Sequence, residues 1–257
     1  MSDPRFKFIL GNEPLGHRPN VRAELTRIRR DPLQKLLSVM RPVESTLLSD
    51  DYSRYEGAYS LYYLSLYRYL HAASVAARYS NERLRWRRNL NPKQRRLAEK
   101  HKSIRLFLEF DLVNCLLHSR ILLDRVAALS RHFLRGQQQL PSFTSFNDHK
   151  RFFLKLAQPY GKHEKYAKYI RDHTDWFDMP LKEVRDKFVV HSSPKHLRLL
   201  AYPDGGYELH LNIWLPVDPN ADKPLEKTTL ITVNPLRLSY DVEAFLKWFC
   251  KYGLSSS

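Results

Sequence analysis

Cysteine is nearly absent: Cys115 and Cys250 are the only two in 257 residues. Two thiols cannot build a disulfide framework. Each lies inside an apolar helical pattern, LVNCLLHS and FLKWFCKY, so buried free thiols in a reducing cytoplasm are expected. Paired cysteines at zinc spacing are missing, as are a P-loop of the GxxxxGKS or GxxxxGKT form and a GxSxG elbow. Metal hydrolysis, NTP hydrolysis and α/β-hydrolase chemistry therefore lose their usual sequence support, and neither a metal nor a cofactor is expected. The opening stretch MSDPRFKFILGNEPLG has no long apolar run behind a basic end, and nowhere do 18 apolar residues follow one another. Neither a signal peptide nor a membrane span is expected. No internal repeat is visible.

Acid is also scarce, with 27 Asp and Glu against 43 Lys and Arg, a formal charge of +16. That balance predicts an attractive field for polyanions, nucleic acid first and an acidic membrane surface second. Hydrophobic content of 43% with 12% aromatics supports a folded chain with one large core or two modest ones.

The hydrophobic period is helical over most of the length. After a Pro-, Gly- and Asn-rich lead-in of about 20 residues, short helices fit Val21 to Leu48, interrupted at Asp31-Pro32 and Arg41-Pro42 because proline disfavours α conformation in the residue before it. Tyr52 to Ala77 reads as a helix in which Tyr52, Tyr55, Tyr59, Tyr62, Leu66 and Tyr69 form one face. Such a stripe at helical spacing is usually core with its hydroxyls at the rim; the alternative is a platform that stacks bases.

From Arg78 to Arg105 eleven Lys and Arg stand against Glu82 and Glu99. Arg83, Arg85, Arg87, Arg88, Lys93, Arg95 and Arg96 are the candidate phosphate contacts, with Trp86 among them; the alternative is a solvated helix face. Asn91-Pro92 marks a helix start. A long helix follows to Gly136, with a break expected near His101 to Ile104 and an apolar second half interrupted by Asp111, Asn114, His118 and Arg125. Those polar groups form either a structural hydrogen-bond network or a site facing another helix.

Asn147 is expected to cap a short helix, and two further helical pieces, KHEKYAKYIRDHTDWF and MPLKEVRDKFVVH, are expected to break around Asp178-Met179-Pro180. Then the period becomes two: a hairpin around Asp204-Gly205-Gly206 buries Tyr207, Leu209, Leu211, Ile213 and Leu215, with Glu208, His210, Asn212 and Trp214 facing out. TTLITVN is a candidate third strand, and Ser239 opens a terminal helix with Val242, Phe245, Leu246 and Phe249 on one face. The expected fold is mainly α, a helical bundle with a small C-terminal antiparallel hairpin or sheet and a terminal helix. It divides into a basic helical region at 1–103, a helical core at 104–194 and a β-containing tail at 195–257.

Arg185 and His191 in LKEVRDKFVVHSSP are six residues apart, about 9 Å of rise and about 120° around an ideal helix. A histidine can take the proton of a ribose 2′-hydroxyl while an arginine neutralises charge on the attacked phosphate, with no metal required. The alternative is an exposed charge and a histidine that caps the last turn.

The segment RDKFVVH, Arg185-Asp186 followed by four residues and His191, resembles the R-x4-6-H signature of the HEPN superfamily, in particular its abortive-infection-associated members. The upstream NCLLHSRILLDRVA is similar to the long helix that packs beside the motif helix in that fold. The resemblance covers roughly Ile104 to Pro194, with Val190 where related proteins often have a small residue. It implies a bundle that dimerises so that two motif copies face each other. The implied activity is a metal-independent endoribonuclease leaving 2′,3′-cyclic phosphate and 5′-hydroxyl ends, with RNA as substrate and an antitoxin or phage-defence partner. His191 would act as base or phosphate-orienting group, Arg185 would stabilise the phosphate and Asp186 would tune them, with Asn114 and His118 as further candidates. The competing readings are a non-catalytic RNA- or DNA-binding helical protein and an interaction module for an acidic partner.

Overall fold

The computed structural model describes residues 6–8, 20–40, 46–85, 91–133, 141–155, 164–183, 195–201, 207–218 and 220–256. It is mainly helical, with a small sheet and a C-terminal helix. Strand β1 (Phe6–Phe8) comes first, then helices α1 (Val21–Ile28), α2 (Gln34–Met40), α3 (Thr46–Arg85), α4 (Pro92–Phe133), α5 (Phe146–Lys155) and α6 (Glu164–His173). A π-helical segment (Phe177–Lys182), β2 (Lys195–Ala201), β3 (Tyr207–Pro216), β4 (Thr228–Val233) and α7 (Pro235–Ser256) complete it.

Helices α3 and α4, 40 and 42 residues long, form the spine. At 1.5 Å per residue each is about 60 Å long. Asn91-Pro92 starts α4 as expected, but no break follows: the helix runs straight through His101 to Ile104. Residue 103, the expected boundary between the basic region and the helical core of one compact unit, lies inside this helix. The Gly136 stop lies outside the described residues.

The tyrosine face of α3 is core. Tyr55, Tyr62, Leu66 and Tyr69 are buried, and Tyr52 and Tyr59 pack partly buried against them. Each ring brings a hydroxyl that needs a partner. Tyr55 Oη donates to Asp31 Oδ1 at 2.6 Å, and Tyr59 Oη lies 3.0 Å from the Ile28 carbonyl and 2.9 Å from that of Arg30. These bonds hold the α1–α2 turn against α3. Burial raises the Asp31 carboxyl above the ordinary range, while Tyr55 and the Leu33 amide oppose that shift by bonding it.

Arg27 ties α1 to α7. Its guanidinium bonds Glu24 at 2.8 Å, Glu243, and Ser239 Oγ at 2.5 Å, and it lies 4.0 Å over the Tyr240 ring. Tyr240 Oη in turn donates to Glu24. One turn before Tyr55, Asp51 near the start of α3 meets Arg131 at 2.6 Å and His132 at 2.9 Å in the last turn of α4. Arg131, in the last turn of α4, also suits the helix dipole there.

Helix α5 begins two residues earlier than expected, and its cap is Ser145 rather than Asn147. The Asp148 amide donates to Ser145 Oγ at 3.1 Å, and that hydroxyl donates to Asp148 Oδ2 at 2.7 Å. Ser-x-x-Asp is a capping box two residues before the expected cap. The next break is also displaced, falling at Thr174 and not at Asp178 to Pro180. The Thr174 carbonyl accepts Lys150 Nζ at 2.9 Å, and the same ammonium reaches Asp178 at 2.6 Å. Pro180, which has no amide proton to donate, falls in the wider π turn.

The sheet has four strands in the order β1-β4-β3-β2, with β1 parallel to β4 and the other pairs antiparallel. The hairpin and the TTLITVN strand form as expected, and β1, inside the expected irregular lead-in, adds a fourth strand. Ile213 and Leu215 are buried, and so are His210 and Asn212, which were expected to face out. Each finds a polar partner instead: Thr232 Oγ1 donates to Asn212 Oδ1 at 2.8 Å, and Asn234 lies 3.4 Å from His210. Asn234 also caps α7 through the Leu236 and Arg237 amides, at 3.0 and 3.1 Å. The terminal helix therefore starts at Pro235, four residues before Ser239, by the same Asn-Pro signal that opens α4. Its Val242, Phe245, Leu246 and Phe249 are buried as the period requires.

Fully buried His149 is ringed by Phe143, Phe146, Phe153 and Tyr166, with Nε2 3.0 Å from Tyr166 Oη. Burial drives its pKa down to about 3, so the fold accepts only the neutral ring. The contribution of that ring is complete above the unfolded value near 6.5 and is lost as pH falls toward 3. Stability should drop by up to about 1.4 kcal/mol per pH unit over that window from this group alone. His149→Phe should flatten that part of the denaturant-unfolding profile, and an unchanged slope would contradict the assignment.

Candidate nucleic-acid interface

The polar positions of α4 divide by environment. Asp111 is buried and its Oδ1 lies 3.1 Å from Arg68 Nε of α3. Burial pushes its carboxyl up and Arg68 pulls it back. Cys115 lies on the neighbouring turn, fully buried, its thiol raised to about 12, and Cys250 is buried with a raised thiol as well. Neither sulfur can serve as a nucleophile near neutral pH.

Asn114 and His118 stand on the outward side of α4, both half-buried, on the same turn-to-turn line as exposed Phe110 and Ile121. His118 Nδ1 is buried and has no hydrogen-bond partner among the described residues. Burial lowers its pKa below 6.5, which leaves a neutral imidazole at pH 7. A neutral ring can accept a proton at one nitrogen and donate at the other. Asn114 and His118 are one turn apart, so both can reach one ligand. Of the four stripe residues, Asp111 belongs to the structural network, whereas Asn114 and His118 belong to an accessible face.

Arg120, two positions on, points the other way. It is buried over the Phe177 ring at 4.4 Å and lies 3.3 Å from Asp124, whose Oδ1 accepts the Phe146 amide at 2.7 Å. This joins α4 to the start of α5 and to the π-helical segment. Leu181 in that segment is buried, and its described part ends at Glu183. Arg185, Asp186 and His191 lie outside the described residues.

The basic run is partly described. Arg83 and Arg85 fall in the last turns of α3, Arg95 in the first turns of α4, and Lys93 and Arg96 are exposed there. Arg87 and Arg88 lie outside the described residues. Lys93 and His118 are 25 residues apart on one unbroken helix, about 38 Å. That equals about eleven base steps of a B-form duplex. The exposed cations and the polar face are therefore two stations along one rod, and a single compact pocket cannot contain both.

Several charged groups were missed because their partners are remote in sequence. Asp51, Arg131 and His132 bring carboxylate, guanidinium and imidazole together. The His132 side chain is only 10% exposed and its Nε2 is engaged by Asp51, which makes the group a clamp and not a reactive base. A cavity of about 630 Å³ between α1 and α7 is lined by Arg22, Arg27, Arg30 and Lys247 against Asp31 and Glu243, a mixed-charge lining. Among the described residues no group of three or more His, Cys, Asp or Glu is placed to hold a metal ion, and no helix is long and apolar enough to cross a membrane.

Asp51→Ala leaves Arg131 and His132 facing each other without their carboxylate and should cost about 3 kcal/mol in denaturant unfolding. Asn114→Ala and His118→Ala remove half-buried groups without such partners and should each change stability by less than about 1 kcal/mol. A loss at His118 as large as at Asp51 would return it to the structural network.

Set against protein-family models, curated proteins and solved structures, the chain matches none of them, so its functional reading rests on its own residues.

Proposed function

We propose that this chain is a metal-independent endoribonuclease of HEPN type. Its positive field gathers RNA, and Arg185, Asp186 and His191 of two facing copies cut it, with Asn114 and His118 of α4 as further candidates. The observation that carries the reading is the docking of the segment leading into the motif. Phe177 lies under Arg120 of α4 and Leu181 is buried, and Arg185 follows Leu181 by four residues. Asn114 and His118 lie within two turns of Arg120 on α4 but on its other side, so the reading does not depend on them. The docking agrees with the helix order that the HEPN resemblance implies.

In the proposed reaction His191 accepts the proton of a ribose 2′-hydroxyl as its oxygen attacks the adjacent phosphorus. The P–O5′ bond breaks, leaving a 2′,3′-cyclic phosphate, and the departing oxygen takes a proton to become a 5′-hydroxyl. Arg185 stabilises the charge that develops on the non-bridging oxygens, and Asp186 orients the cation. A DNA strand has no 2′-hydroxyl and cannot follow this route. An antitoxin or another defence component is part of the same proposal.

An end-labelled RNA incubated with the protein in EDTA should be cut to cyclic-phosphate and 5′-hydroxyl ends. Arg185→Ala and His191→Ala should each reduce the rate by at least about 100-fold. Neutralising Arg87, Arg88, Arg95 and Arg96 should weaken binding and flatten its salt dependence while a saturated rate survives. Absence of cleavage in EDTA, or cleavage by the His191→Ala chain at the parental rate, would sink the enzyme reading. RNA binding that persists without cleavage would then leave a nucleic-acid-binding scaffold.

A further inference from the structure

The packing of α6 on α7 leaves an open cleft of about 440 Å³ on the surface, within the roughly 300–1,000 Å³ usual for ligand pockets. Its floor is aromatic. Tyr169 of α6 stacks on Trp248 of α7 with centroids 3.9 Å apart and planes 6° apart, and Tyr252 lies 5.3 Å from Trp248 at 14°. Three rings thus share nearly one orientation. Fully buried Tyr166 backs them, 5.1 Å from Trp248 and 5.4 Å from Tyr252. Tyr252 is buried while Tyr169 and Trp248 remain half-buried, so the stack reaches the surface toward Tyr169.

The rim is cationic. Lys165 and Lys168 of α6 and Lys251 of α7 are exposed around the cleft, with His173 4.8 Å from Tyr169 and Asp172 as the acid in the lining. Helical spacing explains the layout: Lys165, Tyr169 and His173 recur every four residues, and Lys251 and Tyr252 follow Trp248 by three and four. Packing two helices requires aromatic area but not a lysine on each side of it. Flat π surface together with several flexible cations fits a ligand that is itself flat and anionic.

We propose that this cleft binds an unpaired segment of single-stranded RNA, one base stacking at the Tyr169 end of the ring stack while neighbouring phosphates meet Lys165, Lys168 and Lys251. Duplex bases are already stacked on one another and cannot enter, so the cleft selects unpaired strand. The inference relies on the nucleic-acid part of the proposed function for its ligand and is independent of cleavage.

The test measures binding of a fluorescein-labelled twelve-nucleotide uridine strand to the full chain carrying His191→Ala, so that no strand is cut. Replacing Lys165, Lys168 and Lys251 together by Ala should weaken binding at least tenfold. It should also lower the slope of log Kd against log salt by about 2, near 0.7 per lysine on a single strand. Tyr169→Leu keeps apolar packing and removes the ring, and should weaken binding about five- to a hundredfold with little change in the slope. The three lysines are exposed, so their variant keeps the measurement valid even where Tyr169→Leu unfolds. The proposal is overturned by a parent chain that does not bind the strand, by a triple variant that binds like the parent, or by a duplex or deoxythymidine strand bound more tightly than the RNA. Cleavage in EDTA with an unaffected triple variant removes this proposal alone; cleft-dependent binding without any cleavage removes the ribonuclease reading alone.

Discussion

The docking of α1, its turn and α7 on α3 depends on a single constraint: the rings buried along α3 each carry a hydroxyl that must be bonded. A phenylalanine stripe could be covered by any apolar surface. Tyr55 and Tyr59 require acceptors at fixed places, supplied by Asp31 Oδ1 and by the Ile28 and Arg30 carbonyls, while Tyr62 Oη reaches the Ser239 carbonyl at 3.5 Å. An unpaired buried hydroxyl costs about 1–3 kcal/mol, so these acceptors restrict how α1, its turn and α7 can dock. Arg27 then joins Glu24 and Glu243 across the same junction. The N-terminal and C-terminal helices are consequently held by one set of polar contacts.

The spine and the terminal helix were legible because a period of 3.6 residues persists over several turns, and the α7 face of Val242, Phe245, Leu246 and Phe249 is the simplest case. Errors arose where a local signal had a competitor. Asn147 is a good cap in isolation, but Ser145 also has Asp148 three residues on, and the box prevails. Pro180 suggested a break that a π turn absorbs, with Lys150 bonding the carbonyl at the true break, Thr174. Alternation put His210 and Asn212 on a wet face, since nothing local indicates that Thr232 and Asn234 will satisfy them.

The site was less legible for a related reason. A residue's type and spacing show which chemistry it can perform, whereas its use depends on distant partners. Asp111 and His118 occupy one stripe, yet Arg68 draws Asp111 into the framework while His118 stays on the accessible side. Arg131 and His132 have the side chains of a catalytic pair, and Asp51, 80 residues upstream of Arg131, engages both. Arg185, Asp186 and His191 keep the standing that their spacing and the HEPN resemblance confer.

Charge use separates structural from available cations. Arg27, Arg131 and Lys150 are each engaged by buried or half-buried acceptors, and Arg120 is buried beside Asp124. Such groups add little to the external field because their charge is locally balanced. The field that a polyanion meets must come from exposed cations such as Lys93, Arg96, Lys165, Lys168 and Lys251. These occupy two regions distant in sequence, the start of α4 and the α6–α7 cleft, and only the second has aromatic faces among its described neighbours. The first is suited to phosphates of any strand and the second to strands whose bases are free. On the proposed reading, a chain with both would hold a structured RNA by its backbone at one place and its unpaired bases at another, a division of labour that total charge alone cannot express.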